Sequence, residues 1–156
     1  MDNKKKEEII NEMNKVINHY VENHMLFAGG CCYAAYVLAR YLTKLGISYN
    51  TCIFQYGACL YERNFKKVIN GEDVSHVAIE VKVGGKKIFI GDCVDIYRYF
   101  QSTGHDYKIR HYHHIAPIDI LQGYRNNCWN WVYDTDNNTP LSKAIKMIYQ
   151  KYAEEI

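Results

Sequence analysis

An α+β fold is predicted for this 156-residue chain, on three observations. Apolar residues recur at helical spacing near both ends and over residues 31 to 45. Two short runs rich in β-branched residues flank Gly84-Gly85, the signature of a hairpin turn. At 48% apolar and 23% charged residues, the composition suits one soluble core, and a single domain spanning 1–156 is expected.

The first helix is expected over residues 3 to 24, where Ile9, Ile10, Met13, Val16, Ile17, Tyr20 and Val21 form an apolar stripe. Gly29-Gly30 interrupts the chain, and a second helix follows from Cys31 to Leu45. Its stripe is Cys31, Ala35, Leu38, Leu42 and Leu45, and Gly46 supplies the C-terminal cap. It is the most apolar helix, so it should lie deepest. Residues 49 to 56 have the β-branched and aromatic content of a strand. Residues 57 to 75 are polar, with a short helical turn around Phe65 to Ile69. The hairpin strands are His76–Val83 and Lys86–Asp92. Segments 96–99 and 115–121 fit helix or strand equally, 134–140 is turn-rich, and a last helix covers Leu141 to Glu154.

A net charge of +2 argues against nucleic acid as partner, and the lone basic run, Lys4 to Lys6, is followed at once by Glu7-Glu8. With no apolar stretch of membrane-spanning length and charged residues after Met1, a cytoplasmic protein is expected. Six cysteines without an export signal are expected to remain thiols, and none forms a C-x-x-C pair of the zinc-ribbon kind.

Cys31, His76 and Asp92 stand in an order that suits thiol chemistry. A free cysteine has a pKa of about 8.5, which a helix N-terminus and a neighbouring imidazolium lower to roughly 3.5 to 7.5. Cys31 opens a helix, whose unpaired amides would also stabilise a developing oxyanion. A histidine must then reach the sulfur, and a carboxylate must hold the imidazole in its useful tautomer.

Over roughly residues 29 to 92 the chain resembles the transglutaminase-like branch of the papain-like superfamily. Gly29-Gly30-Cys31-Cys32-Tyr33-Ala34-Ala35 is similar to that family's G-x-C-x-x-x-A motif, and Gly46-Ile47 falls where its helix ends. His76-Val77-Ala78-Ile79-Glu80-Val81 is similar to the family's H-x-x-x-E-V strand, and Asp92 lies at the family's offset of sixteen residues from the histidine. The resemblance implies a nucleophile-bearing helix packed on an antiparallel sheet, with Cys31 as nucleophile, His76 as base and acid, and Asp92 as orienter. It implies a protein or peptide amide as substrate and calls for no cofactor and no metal. The chain departs from the family at Ala78, where an aromatic is usual, and at Cys93, where proline is usual. Cys32-Tyr33-Ala34 satisfies the papain pattern for a nucleophile, whereas the spacing to Ala35 and Gly46 favours Cys31.

Two alternatives accompany this reading: a cell-wall amidase of the CHAP or NlpC type, whose histidine strand is similar to His76-Val77-Ala78-Ile79, and a noncatalytic binding module that kept the fold.

A strict two-residue turn at Gly84-Gly85 pairs Val77 with Asp92 and sets His76 on the other face. Assembly of the triad therefore predicts a three-residue loop through Lys86 or a bulge. Glu80 is read as a charged residue on an exposed strand face. His105, His111, His113 and His114 suggest a metal, but the segment lacks a third and fourth ligand, so a surface or pocket-rim role is expected. Trp129, Trp131, Tyr124 and Tyr133 are read as core, with an acyl-acceptor cleft as the alternative; Asn23 is read as a helix-ending residue, with an extra oxyanion donor as the alternative, and His19 and His24 as structural residues on or just after the first helix.

Overall fold

The computed structural model describes residues 1–22, 30–56, 75–90, 107–112 and 139–155; for 21–22, 30–32, 54–56, 75–76 and 107–112 it describes the backbone alone. Among them are three helices, α1 (Asn3–Glu22), α2 (Gly30–Lys44) and α3 (Pro140–Ala153), and four strands, β1 (Asn50–Tyr56), β2 (Ser75–Val83), β3 (Lys86–Ile90) and β4 (Tyr107–Tyr112). The strands form one antiparallel sheet in the order β3-β2-β1-β4.

Each helix ends where its local chemistry requires. Asp2 caps α1 by accepting the Lys5 N–H at 2.8 Å, and the helix buries Ile9, Ile10, Met13 and Ile17 completely. At the end of α2, Gly46 adopts φ +74°, the Gly46 N–H reaches the Thr43 carbonyl at 3.0 Å and the Ile47 N–H the Leu42 carbonyl at 2.9 Å. These are the two bonds of a Schellman motif, and Ile47 and Leu42, the positions that usually supply its apolar contact, are both buried. In α3, Thr139 is the N-cap, accepting the Ser142 N–H at 3.2 Å, with Pro140 at the first helical position, where its missing N–H costs nothing.

As the apolar stripe predicts, α2 lies deepest. Tyr33, Ala34, Ala35, Val37, Leu38, Ala39, Tyr41 and Leu42 are all buried. They share one core with α1, with Leu141, Ile145 and Tyr152 of α3, and with Ile53, Val77, Ile79, Val81, Val83 and Ile90 of the sheet. The Tyr33 hydroxyl shares a hydrogen bond with Thr139 Oγ1, tying the first turn of α2 to the cap of α3. α3 also lies against α1: Glu12 Oε1 accepts from Lys151 Nζ at 2.8 Å and from the Tyr152 hydroxyl at 2.9 Å.

The hairpin corrects one expectation. Gly84 and Gly85 have φ of +56° and +81°, the pattern of a two-residue type I′ turn, and pairing runs from Val83↔Lys86 to Ile79↔Ile90 without interruption. No third loop residue is used, because two glycines already reach the left-handed conformations whose twist matches the flanking strands. β2 is equally regular on its other side, from Gln55↔Ser75 to Asn50↔Glu80, which excludes a bulge over those residues. An offset that sets Ala78 against Asp92 would have to arise beyond Ile90, outside the described residues.

Candidate functional site

Cys31 is the second residue of α2, inside the first turn, where backbone N–H groups lack intrahelical partners. Gly30 and Cys32 flank it in the same turn. α2 packs against β2, the strand that carries His76 as its second residue. Asp92 lies outside the described residues, as do Asn23, His24, Phe65 to Ile69, Ile96 to Tyr99, His105, His113, His114, residues 115–121, Tyr124, Trp129, Trp131, Tyr133 and residues 134–138. The structure thus sets two of the three proposed triad residues on elements in contact.

Strand parity adds a constraint on His76. Side chains alternate between the faces of a strand, and directly paired residues in antiparallel neighbours share a face. Val77, Ile79, Val81 and Val83 meet the core that contains α2. His76 has the opposite parity, that of Ala78 and Glu80, and is paired with Phe54 of β1. Cys52 and Ala78, paired with each other, are buried at 0% and 1% exposure yet lie outside the helical core, so the central strands are buried on both faces.

Glu80 departs from the reading that placed it on an exposed face, being only 1% exposed. β2 is an interior strand with neighbours on each side, and Asn50, directly opposite, donates from Nδ2 to Glu80 Oε1 at 3.1 Å. This carboxylate borders an open cleft of about 170 Å³ lined also by Lys6, Ser48, Tyr49, Asn50 and Lys82. The hydrogen bond from Asn50 offsets part of the cost of burying the Glu80 carboxylate. The alternation Ile79-Glu80-Val81-Lys82 reads as a half-exposed strand, and only the pairing of β2 with β1 reveals that Glu80 is interior.

Cys52 is buried and is not in a disulfide, as expected of a reduced thiol. His19 is exposed and stands edge-on to Tyr20, with ring centroids 5.7 Å apart. His111 lies on β4, directly opposite Cys52. Among the described side chains no three metal-ligating groups are gathered, a statement that does not reach His76 or His111. No described helix is long and apolar enough to cross a membrane.

Among the described residues, the perturbed titratable groups lie between α1 and α3. Burial pushes the Glu12 carboxyl up, but hydrogen bonds from Lys151 and Tyr152 outweigh it and hold the group below its ordinary range. Burial, followed by the bond to Glu12, raises the Tyr152 phenol. These groups join two helices and form no reactive constellation with a described thiol.

No protein-family model, curated protein or solved structure matches the chain.

Proposed function

We propose that this protein is a thiol-dependent acyl-transfer enzyme acting on amide bonds, with Cys31 as nucleophile, His76 as acid and base, and Asp92 as orienter of His76. The observation that carries the reading is the placement of Cys31 in the first turn of a buried helix. There the positive end of the helix dipole favours the thiolate, and unpaired N–H groups lie where an oxyanion would form. The short tie between Tyr33 and Thr139 holds that turn against α3.

In this chemistry the Cys31 thiolate adds to the amide carbonyl, and the tetrahedral oxyanion is held by the helix amides. Protonated His76 gives its proton to the departing amine as the C–N bond breaks, leaving a thioester. Water then attacks while His76 takes a proton from it, and the thiolate leaves with a carboxylic acid as product. Water as acceptor makes a peptidase or deamidase and an amine makes a cross-linker; hydrolysis is the reading adopted. In a papain-like arrangement His76 would have to turn out of the regular pleat at the start of β2 to meet Cys31.

That requirement favours a second reading, a noncatalytic module that kept the fold, on the specific observation that His76 has the parity of Ala78 and Glu80. Alkylation separates the two. Iodoacetamide labelling across pH, resolved by peptide mass spectrometry, should modify Cys31 first, with a midpoint well below about 8.5. His76→Ala should move that midpoint upward. Preferential labelling of Cys32 would transfer the nucleophile by one residue, whereas slow labelling of all cysteines at ordinary thiol pH would refute the enzyme.

A further inference from the structure

Charges of both signs surround one opening that the acyl-transfer reading does not use. β1 and β2 pair as far as Asn50↔Glu80, the last rung of their ladder at this end. The cleft of about 170 Å³ opens there, lined among the described residues by Ser48, Tyr49 and Asn50 at the entry to β1, by Glu80 and Lys82 of β2, and by Lys6 of α1. Glu80 and Lys82 are two residues apart on one strand and so share a face. His76 stands four residues before Glu80, roughly 13 Å away along the strand.

The anion at this cleft is held in place. Glu80 is paired with Asn50 on one side and with Phe89 on the other, is 1% exposed, and accepts from Asn50 Nδ2 at 3.1 Å. The cations are not tied down. Lys6 and Lys82 border the same space, yet among the described residues neither Nζ lies within 4.0 Å of a carboxylate oxygen, whereas Lys5, Lys86 and Lys151 each meet a glutamate. A buried carboxylate and two lysines thus line one cleft without being joined across it. Lysine carries three donors on a flexible stem, so both ammonium groups can turn onto a ligand.

We propose that this cleft binds a small zwitterion, an α-amino acid with a short side chain, its ammonium group donating to Glu80 and its carboxylate meeting Lys6 and Lys82. A plain anion would suit the lysines but set like charge against Glu80, and a plain cation would suit Glu80 but set like charge against the lysines. A ligand with both charges a few bonds apart matches both. The cleft volume agrees, being below the roughly 300–1,000 Å³ of sites for drug-sized ligands. Ser48 and Tyr49 add hydroxyl groups, and Asn50, which donates to Glu80 through Nδ2, keeps Oδ1 as an acceptor. An acceptor already ordered by its strand loses little freedom when the ligand arrives. Binding here makes and breaks no covalent bond and does not depend on Cys31.

Titration of the isotope-labelled full chain with L-alanine, followed by amide NMR, tests this. Saturable shifts are expected at Tyr49, Asn50, Glu80 and Lys82 and at the Asn50 side-chain amide. Acetate and ethylammonium, each carrying one of the two charges, should bind at least about tenfold more weakly. Glu80→Gln should weaken alanine binding by a similar factor, as should the double variant Lys6→Met/Lys82→Met, while Lys86→Met, at a lysine paired with Glu7, should leave it unchanged. Circular dichroism reports whether each variant is folded; should Glu80→Gln unfold, the double lysine variant decides. The proposal is overturned if alanine gives no saturable shift, if the shifts map away from the cleft, if acetate or ethylammonium binds as tightly as alanine, or if either folded cleft variant binds like wild type.

Discussion

Leu38 offers a direct measure of how far α2 supports the fold. It lies in the middle of the helix, is 0% exposed, and sits in the core shared by all three helices and the sheet. Replacing it with alanine removes three carbon groups, each stabilising the folded state by about 0.8 kcal/mol when buried. That transfer loss is roughly 2.4 kcal/mol. Neighbours on several elements limit how far the space can close, and the residual cavity brings the expected loss to about 3–4 kcal/mol, inside the 2–5 range of buried leucine deletions. For a chain of this length each kilocalorie lowers the midpoint of thermal unfolding by about 2–4 °C, so a fall of the order of 10 °C should accompany it. Urea denaturation followed by far-ultraviolet circular dichroism reads the same quantity, with an unchanged slope against denaturant if the unfolded state is unaffected. Thr43→Ala, at an exposed position of the same helix, should stay within about 0.5 kcal/mol of wild type. A loss below about 1 kcal/mol for Leu38→Ala would refute the placement of α2 at the centre of the core.

Two further substitutions probe the hairpin and the helix pair. Gly84→Asn should be nearly neutral, because asparagine tolerates φ near +56° and the added Cβ would meet only the Asn3 side chain, at 3.2 Å; Gly84→Val should cost about 1–2 kcal/mol in the same urea assay, and equal stability of the two variants would contradict the type I′ turn. Glu12→Gln tests a pH-dependent contribution. The Glu12 carboxyl is held below its ordinary value in the folded state, so its contribution is present above the unfolded value, about 4.3, and is lost as pH falls through the lower folded value. Wild type should therefore exceed the variant in stability near neutrality and match it in strong acid, and a difference that grew on acidification would reverse the sign.

The helices and the hairpin are legible in the sequence because their signals are local. Gly46 ends α2, Pro140 begins α3, and Gly84-Gly85 joins β2 to β3, each through a conformation or a missing donor set by that residue alone. Apolar periodicity likewise identifies Leu38 and Leu42 as core before any coordinates. The pairing of β1 with both β2 and β4 is different, since nothing near Cys52 announces that His111 will stand opposite. The burial of Glu80 is hidden for the same reason: an alternating pattern gives the parity of a strand but not whether neighbours cover both its faces. Of the candidate site, Cys31 lies in the first turn of α2, His76 is the second residue of β2 with a parity opposite to that of its core-facing residues, and Asp92 lies outside the described residues.

What His76 can do then turns on how rigidly β2 holds its parity. A one-residue slip of the whole strand would carry His76 to the helical side, but it would also withdraw Val77, Ile79, Val81 and Val83 from the core. At about 1.5–3 kcal/mol for each buried aliphatic side chain, such a slip costs roughly 6–12 kcal/mol. A domain with about 5–15 kcal/mol of total stability does not sustain that. A local change is far cheaper, because Ser75 and His76 are the first two residues of the strand, and releasing them sacrifices only terminal ladder bonds at about 0.5–1.5 kcal/mol each. The acyl-transfer reading therefore demands that Ser75 and His76 leave their register with β1 while the middle of β2 stays paired. Amide exchange should therefore be faster at Ser75 and His76 than at Val77 to Val81, and equal protection along the whole strand would refute an opening at its start.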